Sequence, residues 1–459
     1  MDHQLEEARP MEADLLRRGG AEALLAATVG PAVWLGNMEA EDGWAAGGPL
    51  SAPPQPAQTR LTRLQERQLL WLAGPGDTVW LREPLDAEYR DYALAQLQAL
   101  PALHVGGEPP KTGESPGLMR GSADDAAMME RTDSRRRTLF LPFLLTEELE
   151  AVARERGWRL VGDVEAAEPG ARAAAARRLS SKFYVRRLAE GHGLTVADGR
   201  FCRDADELEA AYAWLRERGF ARAVLKQPHG SSGKALTVID GPERFGPLIR
   251  YLRRRSWSGE LLLEGWHPAA RCLNAQLLVG ERDARLLAVT EQRVDGRGVY
   301  AGTDYAPRYE PELLERYEAE LLRLGGLMRQ EGFRGVAGVD SIVDAQGRLL
   351  PALEINARFT QATYLLPLAA RLLRRQPLLE SRCLRLEAAA EPTLSELLER
   401  LQKLLAPDGG HGFLVYGWGC AAQGSRHFAR AHILLWGERP ERLREMTERL
   451  AIFEWGTTA

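Results

Sequence analysis

The sequence predicts an α/β protein of more than one domain, and three observations carry that reading. The chain has 459 residues, enough for two or three domains of ordinary size. Strand and helix patterns alternate through its first third, as in an open α/β unit. A strand–turn–strand hairpin at 336–360 then places two carboxylates and an amide close together.

The elements follow in order. Residues 1–25 read as a charged helix. Thr28 to Leu35 is an apolar, buried strand ending at Gly36-Asn37, and 43–58, rich in Gly, Pro and Ala, reads as a loop. Arg60 to Leu72 is expected to be helical, Asp77 to Leu81 a strand, and Glu88 to Leu100 a helix with Tyr89, Tyr92, Leu94, Leu97 and Leu100 at helical spacing. Residues 106–137 mix Pro, Gly, Ser and charge and read as a mobile linker. Leu139 to Phe143 is a short strand, Thr146 an N-cap followed by Glu147 and Glu148, and Leu160-Val161-Gly162 a further strand. A helix is expected over 180–193, two strands around a Gly–Ser loop over 223–239, strands at 260–264, 272–279 and 285–292, and a long amphipathic helix from Glu312 to Gln330. After the hairpin come a helix over 362–375, a helix near 394–405, strands at 412–416 and 429–436 with a loop at Tyr416–Gly424 between them, and a helix from Pro440. The implied units are 1–179, 180–390 with a lid at about 200–260, and 391–459.

Composition narrows the function classes. With 60 Lys and Arg against 64 Asp and Glu the net charge is −4, so charge alone calls for neither nucleic acid nor a membrane surface. The four cysteines, Cys202, Cys272, Cys383 and Cys420, form no Cys-x-x-Cys pair, which argues against zinc and a disulfide framework and fits a reducing compartment. No apolar run reaches about 18 residues and the N-terminal stretch is polar, so a cytoplasmic protein is expected.

The chemistry concentrates in the hairpin. Along Glu354-Ile-Asn-Ala-Arg358 the alternation of a strand points Glu354, Asn356 and Arg358 to one face, which Asp340 on the partner strand can reach. Two carboxylates and an amide oxygen suit magnesium, and an arginine beside them suits phosphate. An isolated hairpin of this kind is as often structural. Upstream, Lys226 stands in the apolar strand Ala223–Pro228, and His229-Gly230-Ser231-Ser232-Gly233-Lys234 follows it. That loop offers backbone N–H groups and hydroxyls to an anion but lacks the P-loop pattern. Lys182 opens a helix and Glu264 ends the apolar strand Leu261–Leu263; each alone reads as an ordinary exposed charge.

Their order is more specific than any one of them. Helix lysine, strand lysine, Gly–Ser loop, strand-end glutamate and Asp…Glu-x-Asn-x-Arg together resemble the ATP-grasp superfamily over about residues 138–380. The resemblance implies two α+β lobes clamping ATP. Lys182 and Lys226 would lie on the α- and β-phosphates, residues 229–234 over them, and Glu264 with the backbone of Gly265 and Trp266 at the adenine–ribose end. Asp340, Glu354 and Asn356 would hold magnesium, and Arg358 the reacting phosphoryl group. A finer similarity is to stand-alone peptide ligases of the pheganomycin type, which carry a pre-ATP-grasp domain. Gly30–Asn37, Gly76-Asp77 and Leu141–Phe143 resemble its landmarks, and Thr290-Glu-Gln292-Arg293 with Gly302 the acceptor strand and loop. Arg271 and Asn274 stand where a second carboxylate is common, which leaves the ribose contacts open, with Asn274 placed among the nucleotide residues. Gly338 replaces the arginine of D-alanine ligases and argues against that assignment.

The implied reaction is amide formation: a carboxylate attacks the γ-phosphate of ATP and an amine displaces phosphate from the acylphosphate. A phosphotransferase or a non-catalytic nucleotide-binding module are the competing readings. Glu354→Gln and Arg358→Ala are expected to lose turnover while folding normally. The partners are then a small carboxylate and an amine, an amino acid or peptide. Segment 391–459 reads as part of the acceptor pocket, a homodimer contact or a packing appendage.

Overall fold

The computed structural model describes residue 24 and residues 31–45, 55–106, 138–162, 168–230, 235–294, 299–453 and 455. The helix expected over 1–25, apart from Leu24, the linker expected over 106–137, apart from Gly106, and Ser231, Ser232 and Gly233 lie outside the described residues.

Three sheets organise the chain. The first is parallel, in the order β3 (Ala102–Val105), β2 (Thr78–Leu81), β1 (Ala32–Leu35), β4 (Leu139–Pro142). All four residues of β1 are buried, as a strand covered on both faces requires. Asp77 ties its start, accepting from Ala32 N at 3.0 Å and Trp34 Nε1 at 2.9 Å. The helices of this region are α1 (Ala40–Ala45), α2 (Pro56–Arg63), α3 (Ala87–Leu97) and α4 (Glu147–Glu155). Thr146 caps α4 as expected, accepting from Leu149 N at 3.3 Å.

Helices α5 (Ala171–Leu179) and α6 (Lys182–Gly191) lead to the second sheet, antiparallel in the order β5 (Gly199–Asp204), β8 (Ser258–Gly265), β6 (Ala223–Lys226), β7 (Leu236–Ile239). Helices α7 (Ala205–Glu217) and α8 (Pro242–Arg254) share one apolar core with it. The third sheet has eight strands in the order β13 (Leu349–Asn356), β12 (Gly335–Asp344), β9 (Ala269–Val279), β10 (Ala284–Val294), β11 (Tyr300–Asp304), β14 (Leu378–Ala388), β16 (Arg426–Gly437), β15 (His411–Gln423). Its adjacent pairs are antiparallel. Helix α9 (Pro311–Gln330) packs on the β13–β10 end; α10 (Leu366–Leu372), α11 (Leu394–Leu405) and α12 (Pro440–Ala451) complete the chain.

Several expectations are corrected. Leu160–Gly162 is not a strand: one bridge joins Leu139 to Arg159, and the chain then turns through Gly162 at φ 68°. The expected loop 43–58 holds the end of α1 and the start of α2. The helix at 60–72 is α2 followed by a 3₁₀ helix, Leu64–Trp71, whose three-residue repeat presents Leu64, Arg67 and Leu70 on one side. Tyr416–Gln423 is not a loop but the second half of β15, and Gly424 alone of that stretch stands in the turn to β16. The strand's glycines mark close approach: a Cβ on Gly417 would stand 3.1 Å from His432 and 3.2 Å from Gln68, and one on Gly419 2.8 Å from Leu64.

The 391–453 region is therefore no appendage, since β15 and β16 extend the large sheet and carry the first domain. Arg67 Nη1 donates to Trp418 O at 3.0 Å, Tyr89 OH to Tyr416 O at 2.8 Å, and Val415 N to Tyr92 OH at 3.0 Å.

Candidate active site

The hairpin supplies the acidic centre. Asp340 on β12 lies in register with Glu354 on β13 and with Asn274 on β9. Its Oδ1 accepts from Asn274 Nδ2 at 2.7 Å and Gln292 Nε2 at 2.6 Å, and its Oδ2 from Asn356 Nδ2 at 3.1 Å. Behind them the fully buried Gln276 donates to Asn274 Oδ1 at 2.7 Å and accepts from Thr363 Oγ1 at 2.6 Å and Thr360 Oγ1 at 3.2 Å. Burial, then the charge of Glu354, pushes the Asp340 carboxyl up to about 6. Asp340, Glu354 and the Asn356 amide offer hard oxygen donors, and a divalent cation there would relieve both penalties, so these residues fit magnesium. Among the described residues no group of three His, Cys, Asp or Glu side chains forms a metal cage. Two carboxylates and an amide suit a magnesium that shares its ligands with phosphate.

Lys182, at the start of α6 and almost wholly buried, joins this centre to the glycine loop. Its Nζ lies 3.0 Å from Glu354 Oε1 and 3.0 Å from Gly230 O. Gly230 has φ 134°, and a Cβ there would meet Ala235 at 2.8 Å, so the turn demands glycine. His229 packs edge-on against Trp44 of α1, with ring centroids 5.6 Å apart. Burial, aided by the charge of Arg177, pushes its imidazole below the ordinary value.

Lys226 ends β6 inside the second sheet, and its ammonium is paired: Nζ stands 2.5 Å from Glu264 Oε2. Arg186 takes the other oxygen, 2.6 Å from Oε1. Burial opposes the Glu264 charge, but Lys226 and Arg186 outweigh it and hold the carboxyl below the ordinary range. Both Glu264 oxygens are thus engaged by cations of the protein. The N–H groups of Gly265 and Trp266 donate to Asp198 O at 2.8 Å and Arg222 O at 3.0 Å. Arg186 was missed in the sequence although it stands one turn after Lys182 on the same helix face.

The strand alternation that would place Arg358 with Glu354 and Asn356 ends before it, although its charge still acts on Asp340 and Glu354. β13 stops at Asn356, and Arg358 N donates back to Asn356 O at 2.7 Å, a tight turn that ends the alternation. The guanidinium points instead to Glu41 of α1, with Nε at 3.0 Å and Nη2 at 2.7 Å from Oε2, and lies over the Phe143 ring. Because Arg358 bonds a buried partner in the first domain, the expectation that Arg358→Ala folds normally is withdrawn. Glu41 carries no motif, and nothing in the sequence pointed to it.

Arg293 and Gly302 face each other across the β10–β11 pair, but the Gln292 and Arg293 side chains go to different partners. Gln292 reaches Asp340, whereas Arg293 bonds Asp304 at 3.0 Å and nears Glu380 at 3.5 Å. Gly302 is set by packing, since a Cβ there would stand 2.0 Å from Ser381 O. Arg271 binds Glu291, at 2.6 Å in its shortest contact, and Asn274 is spent on Asp340.

The chain is 36% identical, over 359 residues, to the [butirosin acyl-carrier protein]–L-glutamate ligase of Niallia circulans, a match covering 78% of this chain and 79% of that one. The chain belongs to the ATP-grasp ligases. No family model matches it. Among solved structures it resembles the N5-carboxyaminoimidazole synthase of Aspergillus clavatus in complex with ADP and 5-aminoimidazole ribonucleotide, with a TM-score of 0.54 at 14% identity, covering 92% of this chain and 98% of that one. It also resembles an N5-carboxyaminoimidazole ribonucleotide synthetase in complex with ADP, with a TM-score of 0.52 at 15% identity, covering 85% and 94%. These two show the fold alone. This ATP-grasp ligase is an ATP-dependent carboxylate–amine ligase that forms an amide. No helix among the described residues is long and apolar enough to cross a membrane.

Proposed function

We propose that this ligase joins an amino-acid carboxylate to an amine, one of them borne by a carrier protein, in a peptide or natural-product assembly. The name of the Niallia circulans relative, which pairs L-glutamate with an acyl-carrier protein, supports that choice. The observation that carries the site is Lys182: one buried ammonium, 3.0 Å from both Gly230 O and Glu354 Oε1, links the glycine loop to the acidic hairpin.

Lys182 and Lys226 would take phosphate oxygens of ATP, and His229, Gly230 and residues 231–233 would cover them. Glu264, Gly265 and Trp266 would line the base end. Asp340, Glu354 and Asn356 would hold magnesium, which supplies charge neutralisation on the transferring phosphoryl group. Asn274 and Gln292 would keep the Asp340 carboxylate aimed, and Arg358 would hold the reacting phosphoryl group and the acyl oxygen joined to it. The protein's work is positioning and charge placement rather than covalent chemistry. Arg293 and Gly302 would shape the edge of the acceptor region. We keep 1–179, 180–390 and 391–459 as the proposed units, and place the protein in the cytoplasm, where its free cysteines stay reduced.

The test is ADP and phosphate release with Mg-ATP and amino acids, singly and in pairs, with and without a carrier protein. Release that needs two components, with a product lighter than their sum by one water, supports this function. A phosphorylated single substrate overturns it.

A further inference from the structure

Helix α1 belongs to the first domain, yet its side chains reach the nucleotide site. Glu41 is 2% exposed and bonds Arg358, and Trp44 packs on His229 at the start of the glycine loop. Asn37 holds the segment in place, donating to Leu144 O at 2.8 Å and accepting from Leu144 N at 3.0 Å, so the approach of α1 is fixed. Both guanidinium bonds end on a single carboxylate oxygen, Oε2. Glu41 Oε1 accepts none among the described residues. Oε1 is not among the buried polar atoms that lack a partner, so it keeps what little access this side chain has and is open to a donor. Burial opposes its charge, but Arg358 and Lys182 together keep it ionised.

We propose that Glu41 is the carboxylate that receives the attacking amine, binding its ammonium through Oε1 and taking its proton. This rests on the ligase function proposed above. With Arg358 on the acyl group and Glu41 beside Arg358, the amine nitrogen is held next to the carbon it attacks. The ammonium gives one proton to Glu41, and the freed lone pair forms the C–N bond. The C–O bond to phosphate breaks with its electron pair, and phosphate leaves with the second amine proton. A phosphate sharing Arg358 would weaken the hold of that cation on Glu41 and make the carboxylate a better base.

The test compares wild type, Glu41→Gln and Glu41→Asp with Mg-ATP and pooled amino acids, in the presence or absence of hydroxylamine, a nucleophile uncharged at neutral pH. In Glu41→Gln, amide formation is expected to fall about 100-fold while hydroxamate formation falls less than about threefold. Raising the pH from about 7 to about 9 should recover part of the lost amide rate, because the amine then arrives unprotonated. Glu41→Asp should be intermediate. Equal losses of amide and hydroxamate would overturn the inference and leave Glu41 as a support for Arg358, and so would an unchanged amide rate. The same comparison is run with and without a carrier protein: a wild type that makes neither product in both overturns the proposed function, and this inference with it, whereas a wild type that makes both products isolates Glu41 as the point tested.

Discussion

The two ends of the eight-stranded sheet treat buried polar groups in opposite ways. At the β13–β12–β9–β10 end, Asp340, Asn274, Gln276, Gln292 and Asn356 form a connected network, with Gln276 tied at both amide atoms. At the β14–β16–β15 end, His432 and the 3₁₀-helix residue Gln68 are equally buried, yet neither ring nitrogen of His432 and neither amide atom of Gln68 has a hydrogen-bond partner among the described residues. A networked buried group holds geometry, whereas an unpartnered one only costs stability. The difference marks the first end as the one built for chemistry.

Substitutions at the networked end should therefore damage function or stability sharply. Arg358→Ala leaves Glu41 buried and unpaired and should cost about 3–5 kcal/mol in denaturant unfolding, besides abolishing turnover. Glu354→Gln should reduce ADP release about 10²–10³-fold with the fold retained, since it also removes the repulsion on Asp340. Near-normal release in that variant would dismiss the acidic hairpin as the site. Gln276→Leu strands Asn274, Thr360 and Thr363 and should cost about 1–3 kcal/mol.

The other end should respond weakly or in the opposite sense. Burial, then the charges of Arg430 and Arg385, pushes the His432 imidazole down to about 3. Its folded pKa lies below the unfolded value of about 6.5, so the stability it permits is complete above pH 6.5 and lost as pH falls toward 3. His432→Phe should flatten that acid limb, read by melting temperature against pH, and an unaltered limb would contradict the assignment. Gln68→Leu should change stability by no more than about 1 kcal/mol, in the favourable direction. A large loss there would mean that Gln68 is satisfied after all and that the contrast between the two ends fails.

Much of this arrangement could be read in the sequence because it is local. Period-two alternation and the Asp344–Gly347 turn located the hairpin, and the order of Lys182, Lys226, Gly230 and Glu264 singled out residues that the fold pairs, Lys182 with Gly230 and Lys226 with Glu264. What escaped was non-local. Glu41 and Arg358 are 317 positions apart, and only the folded chain brings them together. Gln276 looked like one more strand residue, because its partners Thr360 and Thr363 stand beyond the end of β13. Gly417 and Gly419 suggested a loop, since a glycine chosen for close packing and one chosen for a turn look alike until the neighbour is known.

The contacts of β15 with the first domain set a timetable for the growing chain. Tyr89 bonds Tyr416 across 327 positions, and Arg67 bonds Trp418 across 351. During synthesis the 3₁₀ helix and α3 emerge from the ribosome long before the strand that covers them. Until β15 has also emerged, Leu64, which packs against Gly419, faces water or a chaperone. The first domain to be made is therefore among the last to be finished, and a nascent chain stopped before residue 411 should be captured by chaperones through its N-terminal third.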